Sequence, residues 1–100
     1  MTDAELIDFV TDFREGILDG GSSHGKCAMV CWPLTTLLCM SGVPCESVDP
    51  DMEEMNHVWI RLADGRVLDP TADQFNEIYP EENFPPVYLG PPLHIHEDAK

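Results

Sequence analysis

The chain of 100 residues has the size of one small domain, and its hydrophobic content of 43% is enough for a single small core. Its 19 acidic and 5 basic residues give a formal net charge of −14, which excludes a protein that binds nucleic acid by neutralising phosphates. Because it has no run of 18 apolar residues and no signal-peptide pattern, we expect no membrane association, a cytoplasmic location and free thiols.

The first predicted element is an amphipathic outer helix that begins after Thr2. Thr2 and Glu5 have the spacing of a capping box, in which each side chain accepts a hydrogen bond from the other residue's backbone N–H. Gly20 and Gly21 end the helix after roughly 16 residues. Its apolar face consists of residues at helical spacing: Leu6, Val10, Phe13 and Ile17.

Residues 27–40 form the second predicted helix, and they are apolar almost all round, as is typical of a central buried helix. Pro33 should kink this helix unless its regular part begins near Cys31. Cys27 opens the helix behind a loop rich in glycine and serine, beside Lys26. A helix N-terminus and a nearby cation both favour the thiolate. The remaining cysteines lie in apolar patterns and are interpreted as structural: Cys31, Cys39 and Cys45.

A short strand is predicted around Cys45–Val48, and a β-hairpin follows it. Residues 56–62 alternate, which predicts a strand with an apolar and a polar face. The apolar face holds Val58, Ile60 and Leu62, and the other face holds His57, Trp59 and Arg61. A turn at residues 63–65 leads into the return strand, residues 66–69.

The length of this turn decides which side chains share a face. A two-residue loop pairs Ile60 with Asp69 and mixes the two faces. A three-residue loop with Gly65 in the left-handed conformation pairs Ile60 with Leu68 instead. His57 and Asp69 then become diagonal neighbours about 7–8 Å apart on one face, within reach of a carboxylate–imidazole hydrogen bond. The apolar pattern and the proposed chemistry therefore favour the same register.

The C-terminal third carries weaker signals. Residues 87–89 are predicted as an edge strand, and Pro91, Pro92 and the acidic tail are expected to be peripheral. His94 and His96 form an H-x-H pair, which is a weak metal pattern without two further ligands. We expect no metal and no other cofactor. The polar, acidic residues 71–82 have three expected anchors: Phe75, Ile78 and Tyr79.

The residue types of a nucleophilic triad occur in the order Cys27, His57, Asp69. Asp69 would accept from one ring nitrogen of His57 and leave the other to take the thiol proton. Each residue also has a structural interpretation: a core thiol, a surface histidine and a strand-ending Asp-Pro turn. A zinc site built from Cys27, Cys31 and His57 matches no standard spacing.

Four motifs together resemble the transglutaminase-like branch of the papain-like cysteine enzymes, as a small bacterial or phage member: Gly25-x-Cys27, Gly42-Val43-Pro44, His57-x-Trp59 and Asp69-Pro70-Thr71. The resemblance covers roughly residues 22–73. It implies one α+β domain over residues 1–100, in which an outer helix and a central helix carrying the cysteine pack on a small antiparallel β-sheet. In such a domain Cys27 is the nucleophile, His57 the base and then the acid, and Asp69 the residue that orients His57.

The same resemblance implies acyl transfer through a thioester on a protein or peptide amide, as in a peptidase, a deamidase or a transglutaminase. No Gln precedes Cys27 to complete an oxyanion hole, so its backbone N–H with His24 or Ser23 is the candidate donor set. Trp59 would shield the site. Arg61 lies on the His57 face and is a candidate contact for a substrate carboxylate or phosphate.

A binding protein without catalysis is the alternative. The acidic residues either form an ordinary solvated surface or engage a basic partner, as a phage-encoded inhibitor does. In that case the fold is kept and Cys27 has no chemical role.

Overall fold

The structure, a computed structural model, describes residues 2–21, 27–48 and 58–96, without the side chains of Cys27, Ala28 and His94. In these residues the architecture is α+β, as predicted. Helix α1 (Asp3–Leu18) packs on helix α2 (Cys27–Met40), and α2 packs on an antiparallel sheet. The sheet contains, in spatial and chain order, β1 (Cys45–Val48), β2 (Trp59–Leu62), β3 (Val67–Asp69) and β4 (Tyr88–Gly90). Neither helix in this part of the chain is long and apolar enough to cross a bilayer.

The capping box of α1 is confirmed. The Thr2 backbone N–H donates to Glu5 Oε1 at 2.8 Å, and the Glu5 N–H donates to Thr2 Oγ1 at 3.1 Å. The helix ends where Asp19 adopts a left-handed conformation, directly before Gly20. Leu6 and Val10 are buried against α2 and the sheet, so α1 covers one side of the core.

The prediction that α2 is buried all round is wrong. One side is fully buried and holds Val30, Cys31, Leu34 and Leu38, whereas the other exposes 55% of Met29, 54% of Trp32 and 79% of Met40. The described elements pack on one side of α2 only, and composition alone does not reveal this. Helix α2 also continues through Pro33, because the hydrogen bond that proline removes lies between two exposed residues, where water can replace it.

Two hydrophobic clusters cover the two faces of the sheet. Val58, Ile60 and Leu62 share the face toward the helices, as the alternation predicts. On the opposite face a smaller cluster packs over β3 and β4: Ala72, Phe75, Phe84 and Ile95. Leu93 and Ile95 therefore belong to a second buried layer, whereas Pro91 and Pro92 are exposed, as predicted. The acidic tail after His96 lies outside the described residues.

The predicted anchors of residues 71–82 are partly confirmed. Phe75 is buried in the 3₁₀ helix Ala72–Glu77, and Tyr79 packs beside it, but Ile78 is 61% exposed. The Tyr79 backbone N–H donates to the Phe75 carbonyl at 2.8 Å, so the chain makes an α-type turn there. In an α-type turn, residues four apart lie on the same side of the helix. Tyr79, and not Ile78, therefore packs in the same cluster as Phe75.

The predicted register of the hairpin is confirmed. Ile60 pairs with Leu68, and Gly65 has φ +91° in the turn between β2 and β3. The same register, continued by one residue, sets Trp59 opposite Asp69. On the other side of β3, Asp69 pairs with Tyr88 of β4.

Replacing Gly65 with alanine tests the turn that sets this register. Both Gly65 and Gly16 have open space at the position of an added Cβ, but only Gly65 has a positive φ. We expect Gly65→Ala to lower the free energy of unfolding by about 1–2 kcal/mol, because L-residues disfavour this conformation. Gly16→Ala, inside α1, should raise it by about 0.5–1 kcal/mol. Urea unfolding followed by circular dichroism measures both, and equal effects of the two substitutions would contradict the left-handed turn.

Candidate functional site

A fully buried carboxylate lies at the end of β3. Asp69 Oδ1 accepts from the Thr71 backbone N–H at 3.0 Å, and Oδ2 is 2.7 Å from Nε2 of His96. A carboxylate that caps the N–H two residues on, with proline between them, forms a strand-ending Asx turn. The structural interpretation of Asp69-Pro70 is therefore correct. The second carboxylate oxygen, Oδ2, is hydrogen-bonded to the imidazole of His96.

The tautomer of His96 follows from its neighbours. The Leu93 backbone N–H donates to Nδ1 of His96 at 3.1 Å, so this nitrogen carries no hydrogen. Nε2 then carries the hydrogen and donates it to Asp69. Since both ring nitrogens are engaged in these hydrogen bonds, His96 is not placed to accept a proton from a thiol.

Two aromatic rings enclose His96 on the sheet face opposite the helices. Trp59 meets the imidazole edge-on with ring centroids 5.4 Å apart, and Tyr88 stacks on it at 5.6 Å. Trp59 is itself 1% exposed, so the Asp69–His96 hydrogen bond is shielded from water. In such a setting a hydrogen bond is stronger, and its loss is more costly, than on the surface.

The role of His96 was missed in the sequence, where the H-x-H pair was weighed only as a metal pattern. Leu93 and Ile95 flank the first histidine of that pair, and this apolar alternation was the available signal that the segment packs against the protein. Its partner Asp69 is 27 residues away, too far for any local pattern to indicate. Within the described residues, no three His, Cys, Asp or Glu side chains are grouped to hold a metal ion.

A second contact joins the start of α2 to the start of β2. The Cys31 thiol is fully buried and donates to the Val58 carbonyl oxygen, with the sulfur 3.2 Å away. Cys31 is thus structural, as predicted. It lies one helical turn after Cys27, and Val58 directly follows His57, so the contact joins the two stretches that carry the predicted nucleophile and base.

Several predicted site residues lie outside the described part of the chain. These are the side chain of Cys27 and all of His57, His24 and Ser23. Cys27 is in α2, as predicted, and is the first described residue of that helix. Of the predicted triad, the described residues therefore fix the surroundings of Asp69 and the position of the helix that carries Cys27.

Arg61 is on the same side of β2 as Trp59, as predicted, but at the hairpin end of the strand. Its guanidinium lies 3.6 Å from Glu46, and the two line a groove of about 330 Å³ beside β1 and β2. Because His57 is outside the described residues, the role of Arg61 as a substrate contact stays a prediction.

Arg66, the other arginine of the hairpin, is also paired with carboxylates. It contacts Asp64 at 2.8 Å and Asp3 at 2.9 Å. Hydrogen bonds from its backbone N–H and then from its guanidinium lower the pKa of Asp64. The arginines of β2 and of this turn thus pair with surface carboxylates.

Comparison of the chain with family models, with curated proteins and with solved structures finds no match. The resemblance to transglutaminase-like enzymes therefore remains a prediction from the four motifs.

Replacing His96 with phenylalanine tests the buried pair. The variant keeps a ring between Trp59 and Tyr88 but leaves Asp69 and the Leu93 N–H without their imidazole partners. We expect the free energy of unfolding to fall by about 3 kcal/mol, measured by urea unfolding.

Tyr88→Phe is the matched control, because it keeps the stacked ring and removes only an exposed hydrogen bond to the Pro91 carbonyl. Tyr88→Phe should lower the free energy of unfolding by less than about 1 kcal/mol. If the two variants were equally stable, the Asp69–His96 hydrogen bond would have no structural importance.

Proposed function

We propose that the protein is a cysteine acyltransferase or hydrolase in which Cys27 is the nucleophile, His57 the general base and Asp69 the residue that orients it. The observation that carries the proposal is the contact of Cys31 with Val58. This contact joins the first turns of α2 to Val58, the residue that follows His57. Strand β3, which pairs with β2, ends at the buried carboxylate of Asp69.

The chemistry follows from these positions. A thiol at the start of a helix is favoured as thiolate by the helix dipole. The Cys27 thiolate attacks the carbonyl carbon of a protein or peptide amide, and His57 protonates the departing amine. Water then cleaves the thioester in a peptidase or deamidase, whereas a second amine takes the acyl group in a transglutaminase. The Cys27 N–H with His24 or Ser23 is the proposed oxyanion hole.

The surroundings of Asp69 are compatible with this role. The Thr71 N–H and Nε2 of His96 bind the two Asp69 oxygens and hold the carboxylate in one orientation, as the proposed role of orienting His57 requires. The confirmed hairpin register supports the diagonal relation between residues 57 and 69 on one sheet face. Burial of Trp59 beside this pair supports its proposed role in excluding water.

A binding protein is the second candidate, and the exposed side of α2 favours it. Met29, Trp32 and Met40 are each more than half exposed, and Met and Trp are enriched at protein interfaces. With a net charge of −14, the partner that we infer is a basic protein segment with an apolar face. In this case the acylation chemistry described above is absent.

Thiol reactivity distinguishes the two candidates. At about pH 6 we expect Cys27 to react with iodoacetamide about 100-fold faster than Cys39, because the proposed position at a helix N-terminus favours the Cys27 thiolate. Cys39 is the matched control: it is an exposed thiol on the same helix. Mass spectrometry of cleaved peptides at successive times gives both rates.

The general base is tested with p-nitrophenyl acetate, which should acetylate Cys27. His57→Ala should lower the acetylation rate by about 100-fold or more, and Cys39→Ser should leave it unchanged. Circular dichroism of each variant checks that the fold is kept. Equal reactivity of Cys27 and Cys39, or a His57→Ala variant with the wild-type rate, would refute the enzyme and favour the binding protein.

A further inference from the structure

The sulfur atoms of Cys39 and Cys45 are in contact where α2 ends and β1 begins. The two Sγ atoms are 3.8 Å apart, and Sγ of Cys39 is also 3.4 Å from the Cys45 carbonyl oxygen. A disulfide has an S–S bond of about 2.05 Å, so the sulfurs need to approach by only about 2 Å to form one. Cys39 is exposed and Cys45 is half-buried, so a reagent in solution reaches the pair through Cys39.

Hydrogen bonds around the pair keep the two sulfurs together. The Val43 backbone N–H donates to the Leu38 carbonyl at 2.9 Å and closes the short connection between helix and strand. The hydroxyl groups of Thr35 and Ser47 are 2.7 Å apart and join α2 to β1 beside the sulfurs. Because these hydrogen bonds fix the end of α2 against β1, the thiols of Cys39 and Cys45 are held in contact.

We propose that Cys39 and Cys45 are a redox-active dithiol that low-molecular-weight disulfides, such as oxidised glutathione, convert into an intramolecular disulfide. The Cys39 thiolate attacks one sulfur of oxidised glutathione; a Cys39–glutathione bond forms and the glutathione S–S bond breaks, releasing one glutathione. Cys45 then attacks the Cys39 sulfur, and the second glutathione leaves. The protein loses two electrons and two protons, and oxidised glutathione becomes two molecules of the thiol.

The environment of Cys45 explains why Cys39 reacts first. Burial, and then the hydrogen bond and negative charge of Cys39, raise the pKa of Cys45 to about 12. The first attack on the glutathione disulfide therefore comes from the exposed Cys39 and not from Cys45. Once the Cys39 sulfur is bound to glutathione its charge is gone, which makes ionisation of Cys45 easier at the moment when Cys45 has to attack.

This site is separate from the proposed triad. Cys39 follows Cys27 by twelve residues, about 18 Å along the axis of α2. The disulfide requires neither Cys27 nor His57, and the proposed acyl transfer requires neither Cys39 nor Cys45. An experiment that refutes the disulfide therefore does not refute the proposed acyl transfer, and the reverse also holds.

Oxidation of the full-length wild-type chain with oxidised glutathione tests the site. After an acid quench, cyanogen bromide cleaves after Met29, Met40 and Met52, which separates residues 30–40 from residues 41–52. We expect these two peptides to be joined, with the loss of two hydrogen atoms, and the oxidised protein to melt at least about 5 °C higher. A persistent glutathione adduct on Cys39 without this cross-link would overturn the proposal.

Three variants locate the bond. Cys39→Ser should abolish the cross-link, which would instead survive if the buried Cys31 were the partner. Cys45→Ser should stop at the mixed disulfide of Cys39 with glutathione. Cys27→Ser is the matched control and should keep the cross-link. Retention of the linked peptides in Cys39→Ser would assign the bond to Cys31. Their loss in Cys27→Ser would show that the oxidation requires Cys27, and either result would refute the site.

Discussion

The carboxylate of Asp69 connects three parts of the chain. It ends β3, caps the turn through Thr71 that starts the next helical segment, and binds His96 near the C-terminus. Because it is fully buried, water cannot replace any of these partners, and an unmet bond there costs far more than the same bond at the surface. The second hydrophobic layer, with Ile95 beside His96, is therefore positioned by a polar interaction at its centre.

That interaction depends in turn on the register of the β2–β3 hairpin. A strand has a side-chain period of two, so a slip of one residue would turn Asp69 toward the helices and Leu68 toward the polar face. The left-handed Gly65 and the pairing of Ile60 with Leu68 prevent this slip. The turn at one end of the hairpin thus decides whether the carboxylate at the other end meets an imidazole or an aliphatic core.

Features set by neighbouring residues were predictable from the sequence, and features set by distant ones were not. The capping box of Thr2 and Glu5 and the hairpin register follow from local hydrogen bonding and alternation, and the structure confirms both. The exposed side of α2 depends on which elements cover the helix, and an apolar composition does not contain that information. His96 depends on a contact across 27 residues, so its position beside Asp69 required the fold itself.

The two histidines assigned to Asp69 have opposite physical requirements. His96 is bonded through both ring nitrogens and holds the carboxylate in place as a hydrogen-bond donor. In the proposed enzyme His57 must keep one nitrogen for the thiol and become an imidazolium during the reaction. A carboxylate already fixed by Thr71 and His96 stabilises that new charge without reorienting, which is the advantage of preorganised electrostatics. In that proposed enzyme His96 is a positioning residue, which would act on catalysis only through the fixed orientation of Asp69.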